Sequence, residues 1–166
     1  MKFKTKNMDT QFSDIIQLIQ QSRNNAIKSV NTELINMYWN VGAYIRQKLT
    51  LAEWGDKTID DLAVFIQKNN PELKGFNRTG LYRMIQFYET YASTKFVAPV
   101  VRQIQSSNNQ YDKFVAAEGR QFKSQDIRNA PLAQISWTNN LIIFSRCKTE
   151  EEREFYIRMC IKERYS

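Results

Sequence analysis

Between residues 9 and 41 the chain contains neither proline nor glycine. Over that length Phe12, Ile15, Ile16 and Ile19 recur at the i, i+3, i+4, i+7 spacing of one helix face. The pattern resumes with Ile27, Val30, Leu34, Met37 or Tyr38, Val41 and Ile45. Proline and glycine are the strongest helix interrupters. Their absence predicts one very long helix, or two nearly collinear ones jointed near Asn31–Thr32. A helix of this length buries nothing by itself, so it must be a spine on which others pack. The expected fold class is therefore all-α, a helical bundle built on one long N-terminal helix. At 166 residues, 42% of them apolar, the chain suffices for a single domain with a real core. Five glycines and three prolines suit long regular elements better than a turn-rich β sandwich. Residues 1–8, basic and polar, are expected to be a frayed, flexible lead-in, with one helical domain over 9–166.

On the spine, Tyr38 and Trp39 precede Gly42 by three to four positions. A glycine there predicts close packing, admitting a neighbouring ring or backbone. Residues 51–56 (LAEWGD) read as a loop anchored by Trp54. Thr58 with Asp61 three positions on resembles a capping box, and Ile59, Leu62, Ala63 and Ile66 give that helix an apolar face. Asn69-Asn70-Pro71 stops it, because proline disfavours helical geometry in the residue before it. After a turn at Lys74-Gly75-Phe76, Asn77 is the expected N-cap of the next helix, with Phe76 and Leu81 as its hydrophobic staple. At about 100° per residue, Leu81, Met84, Ile85, Tyr88 and Ala92 share one side of the helix over 78–92. Arg78, Thr79, Tyr82, Arg83 and Gln86 share the other. The two helices form a helix-turn-helix-like unit. Guanidinium, hydroxyl and amide groups on one face are the means of contacting phosphates and base edges. A polar helix face is also, more commonly, just a solvated face.

Beyond Thr94 the pattern weakens, and 93–130 reads as the variable segment. A short helix begins near Pro99, a polar loop spans 105–110, and the span 93–136 carries a net charge of +3. Leu132, Ile135, Trp137, Leu141, Ile142 and Phe144 then predict a buried helix. Thr149 and Glu152 form a second capping box, followed by a helix whose buried stripe is Phe155, Tyr156, Met159 and Cys160.

The chain has no histidine, which excludes Ser-His-Asp and Cys-His nucleophile systems and His-containing zinc sites. Its glycines are scattered, so there is neither a P-loop nor a dinucleotide fingerprint. Cys147 and Cys160 lack metal-ligand spacing and read as packed, reduced thiols in helical patterns. Glu72-Leu73-Lys74 matches half of a metal-dependent nuclease signature, but it lies in a turn between helices rather than on a strand. The expectation is a non-catalytic chain with no cofactor and no metal. No signal peptide and no membrane span is evident, so a cytoplasmic location is expected. The net charge of +7 suits an anionic partner, nucleic acid first.

With these residues laid out, the chain resembles the N-terminal domain of the YhcG-like proteins, a bacterial domain of unknown function that precedes a PD-(D/E)xK nuclease domain. The resemblance runs through Asn31-Thr32-Glu33-Leu34, Tyr38-Trp39, Gly42 and Trp54-Gly55. It continues through Gly75-Phe76-Asn77, Leu81, Arg83-Met84 and Phe87-Tyr88. Ile135-Ser136-Trp137, Arg153-Glu154-Phe155-Tyr156 and the final Lys162-Glu163-Arg164-Tyr165-Ser166 complete it. Where members often carry a histidine pair, Asn139 and Asn140 stand here. The nuclease domain of that family would follow Ser166, so this chain is expected to be a truncated piece or a stand-alone relative. The resemblance implies a helical accessory domain that helps a nuclease engage DNA, with the nuclease domain as its covalent partner. In that reading Lys74, Arg78, Thr79, Tyr82, Arg83 and Gln86 contact nucleic acid, and the basic middle segment adds phosphate contacts. The rival reading is an oligomerisation or partner-docking domain in which the long helix pairs with another copy, as a homodimer.

Overall fold

The structure, a computed structural model, describes the backbone of residues 2–94 and 124–163, with side chains from residue 12 onward. Helix α1 spans Lys2–Thr50 without a break, taking in the stretch over 2–8 that the sequence marks as a lead-in. It ends where Ala52 takes a left-handed conformation (φ 55°) and the Glu53 and Trp54 amides turn back to the Lys48 carbonyl. Helix α2 spans Asp56–Asn69 and α3 spans Arg78–Tyr91. A 3-10 turn at Pro131–Gln134 leads into α4, Trp137–Arg146, and α5, Glu150–Glu163, follows. Among the described residues there is no strand. The short helix expected near Pro99 and the polar loop over 105–110 lie outside the described residues.

Of the two alternatives, the single long helix is the one formed; no joint interrupts it at Asn31–Thr32, and the two polar residues there do something else. The Asn31 amide donates to the Ala133 and Ile135 carbonyls at 3.2 and 3.0 Å, and the Thr32 hydroxyl donates to Ala133 at 3.2 Å. They fasten the 3-10 turn to the spine. One and two turns later, Asn36 and Asn40 hold the segment 124–127, which has no regular secondary structure. Asn40 accepts from the Gln125 amide and donates to the Gln125 carbonyl, both at 2.8 Å, while Asn36 accepts from the Ile127 amide at 2.9 Å. A segment outside helix and sheet must satisfy its backbone groups some other way, and these asparagines supply the partners.

Two clusters form the core. Ile35 and Trp39 of α1 meet Phe87 and Tyr91 of α3, Leu132, Phe144 of α4 and Ile157 of α5. Ile45 of α1 meets Ile59 and Ala63 of α2 with Leu81, Met84 and Ile85 of α3. Tyr38 bridges them, its ring 4.6 Å from Trp137 and 6.2 Å from Phe76. Trp39 is fully buried, edge-on to Phe87, and its indole N–H donates to Gln125 at 2.9 Å. It is a packing residue.

Several sequence expectations need correction. Thr58 is not the cap of α2. Gly55 caps it, and Thr58, at the third helical position, accepts from the Gly55 amide at 3.3 Å. The helix expected from Pro131 is two elements, because Ser136 starts α4 afresh by accepting from the Asn139 amide. Within α4 it is Ile143, not Ile142, that is buried. Of the stripe assigned to α5, Cys160 packs on the core but the other three residues do not. Phe155, Tyr156 and Met159 are 61, 46 and 40% exposed, whereas Ile157 is buried and Cys160 and Ile161 pack on the core. That helix carries apolar residues around most of its circumference, so periodicity alone does not select the packed side. On α3, Ala92 is exposed, and the buried face takes in Phe87 and Tyr91 instead. Cys147 caps the end of α4 rather than lying within a helix. Burial pushes both thiols up, and both are free.

Candidate nucleic-acid interface

The face of α3 that turns away from the core begins at a well-formed helix start. Asn77 lies in extended geometry and accepts from the Gly80 amide at 2.8 Å. Phe76 packs with Leu81 in the second core cluster, as a staple should. Gly75 makes the preceding turn with φ 88°, a conformation that favours glycine. Its carbonyl lies so close to Gly80 that a Cβ there would come within 2.9 Å of the Gly75 carbonyl carbon. The turn and the first helical turn are thus packed backbone against backbone.

The helix itself is clamped to α1 at Gly42. A Cβ on that residue would lie 2.6 Å from the Met84 carbonyl carbon and 3.2 Å from the Ile85 nitrogen. What the glycine admits is a backbone, not a ring. Leu81, Met84, Ile85, Phe87 and Tyr91 are buried behind this contact, so the opposite face is presented in a fixed orientation.

Arg78, Thr79, Arg83 and Gln86 are exposed on that face, as expected, and Lys74 is exposed on the turn before it. Tyr82 is different. It is half-buried against the second cluster, and the Arg78 guanidinium lies 5.1 Å above its ring. Arg78 also donates from Nε to Asp60 of α2 at 2.6 Å, a bond that holds the guanidinium pKa above its ordinary value. Arg83, Lys74, Lys57 and Lys68 make no ion pair among the described residues. The structure therefore brings Arg78, Thr79, Arg83 and Gln86 onto one surface but neutralises Arg78 locally and reduces Tyr82 to a supporting shelf. Asp60 is the residue that sequence reading missed. It looks like an ordinary acidic first-turn residue, and nothing in the spacing signals a cross-helix pair 18 positions away.

The surroundings are close to neutral. From residue 46 to residue 91 there are seven Lys/Arg and six Asp/Glu, a net of +1. Arg46 and Lys48 are occupied by Glu89 at 2.9 Å and Glu53 at 2.5 Å. The basic middle segment that would extend the surface lies largely outside the described residues. Glu72 and Lys74 sit in the α2–α3 turn, where Glu72 accepts from Asn70 at 3.3 Å. Among the described residues no group of acidic, Cys or His side chains has the arrangement of a metal site.

No curated protein and no solved structure matches the chain. The model of a sequence family matches it over residues 14–166, a span that runs from Asp14 within α1 through the end of α5. The chain belongs to the DUF1016 N-terminal domain family.

Proposed function

We propose that this chain is a non-catalytic nucleic-acid-binding domain, with DNA as the partner, that acts as the accessory domain of a PD-(D/E)xK-type nuclease. The observation that carries the reading is the rigid outward face of α3, where Arg78, Thr79, Arg83 and Gln86 stand exposed behind the Gly42–Met84 clamp. Helix side chains of this kind contact phosphates and base edges together. The nuclease association rests on the family resemblance. A cytoplasmic location goes with it, and among the described residues no helix is long and apolar enough to cross a membrane.

The near-neutral surroundings set the expected strength. With three cations at the surface, Lys74, Arg78 and Arg83, log K should fall with log salt at a slope of roughly −2.7, so a fourfold rise in salt weakens binding about 40-fold. The Arg78–Asp60 pair is exposed, 66 and 46% on its two side chains, so a phosphate can compete for the guanidinium. The test is fluorescence anisotropy with labelled duplex and single-stranded DNA across a salt series. Arg78→Ala/Arg83→Ala should lose at least about tenfold in affinity and flatten the salt slope by roughly 2. Asp60→Ala, which frees Arg78, should bind more tightly than wild type. Absence of a shift at low salt, or a double mutant that binds like wild type, refutes the reading.

A further inference from the structure

Every residue from Phe12 to Val30 of α1 is exposed, and among the described residues the spine is fastened to the body from Asn31 onward. The helix before that point is a rod of roughly 40 Å at 1.5 Å per residue. A free helix in water is marginal unless something packs on it. This one carries an apolar stripe: Phe12, Ile15, Ile16, Ile19, Ile27, Val30 and Leu34 are each between 40 and 66% exposed. At roughly 100 Å² bared per side chain, the seven amount to roughly 700 Å². That exceeds the ~300–600 Å² of the largest apolar patch on an ordinary monomer and approaches the ~800 Å² each partner buries in a stable complex.

The stripe also has a symmetry. Reversed about Arg23, six of the seven positions fall on one another, Phe12 on Leu34, Ile16 on Val30 and Ile19 on Ile27, while Ile15 falls on Asn31 at the edge of the stripe. A two-fold interface requires a surface complementary to itself in this way, since residue i meets j and j meets i. An unrelated partner does not require it.

We infer that α1 is a self-association arm: two copies of this chain pair antiparallel through the stripe, with the two-fold axis at Arg23. Phe12, Ile16 and Ile19 then pack on the partner's Leu34, Val30 and Ile27. The stripe holds one charged residue, Arg23, and the pairing sets it against the partner's Arg23. That repulsion limits the affinity and gives the arrangement a distinctive signature.

The experiment is sedimentation equilibrium over the micromolar range. Wild type should form a dimer, and Ile16→Glu should weaken association at least 100-fold, with tryptophan fluorescence unchanged because Trp39, Trp54 and Trp137 lie in the body. Arg23→Glu, on an exposed position, tests the axis. Mixed with wild type it should form a mixed dimer in preference to either homodimer by at least tenfold, since opposite charges then meet. A wild-type chain monomeric at every concentration overturns the inference. So does a dimer indifferent to Ile16→Glu, or an Arg23→Glu chain with no preference for wild type. None of these variants touches α3, so loss of association leaves the DNA test intact.

Discussion

Gly42 offers a prediction in which two principles give opposite signs. In an exposed helix interior, Gly→Ala stabilises by up to about 1 kcal/mol, because alanine loses less backbone freedom on folding. In this fold the added methyl would meet the carbonyl of Met84, its carbon 2.6 Å from the carbonyl carbon. Comfortable carbon–carbon separation begins near 3.5 Å, so α1 and α3 must part by roughly 1 Å. The obstacle is helix backbone rather than the end of a flexible side chain, so it has no rotamer to escape into. Parting the helices loosens Ile45, Leu81 and Ile85 in one cluster and Trp39 against Phe87 in the other. Overpacking of this kind costs about 1–3 kcal/mol, and a rigid obstacle places it at the upper end. Offset by the propensity gain, Gly42→Ala should lower stability by about 2 kcal/mol, read by urea denaturation with tryptophan fluorescence and far-UV circular dichroism. The far-UV signal of the folded variant should be unchanged, because α1 stays helical. A Gly42→Ala protein as stable as wild type, or more so, would refute the close approach of α1 to α3 and with it the fixed orientation of the candidate interface.

Two further outcomes follow from buried and paired groups. The Tyr91 hydroxyl is buried with no hydrogen-bond partner among the described residues, and burial pushes the phenol well above its usual pKa. Tyr91→Phe should therefore be neutral or stabilise by up to about 1 kcal/mol in thermal or urea unfolding, whereas a loss of that size would mean the hydroxyl has a partner. The Asp126 carboxylate accepts from the Arg128 side chain at 2.7 and 2.8 Å, and that bond holds its pKa below the ordinary value. A depressed folded pKa contributes stability that is present above the unfolded value, near 3.9, and lost as pH falls through the folded one. Asp126→Asn should flatten the decline of stability below about pH 4, and an unchanged acid limb would refute this.

Much of the helical plan is legible in the sequence because its signals are local. The unbroken run over 9–41, the stop at Asn69-Asn70-Pro71, the Asn77 cap and the Thr149–Glu152 box each depend on neighbours within a turn or two. The division of α3 into a buried and a polar side follows from helical period alone, which is why Arg78, Thr79, Arg83 and Gln86 fall where expected. What sequence cannot show is which apolar face meets a neighbour. The early stripe of α1 and the Phe155–Met159 side of α5 look like core by periodicity, yet both are exposed, because burial is a property of the partner and not of the pattern. Likewise Asn31, Asn36 and Asn40 read as ordinary polar helix residues until the chain returns some 85–104 positions later to be held by them. Most of the helices, the caps at Asn77 and Thr149, and the candidate reading face were thus decided by short-range backbone chemistry. Only the tertiary structure decided that Gly42 admits a backbone, that Asp60 neutralises Arg78, and that residues 12–30 of the spine are exposed. Each of these depends on contacts between residues distant in the chain, whose meeting no local spacing encodes.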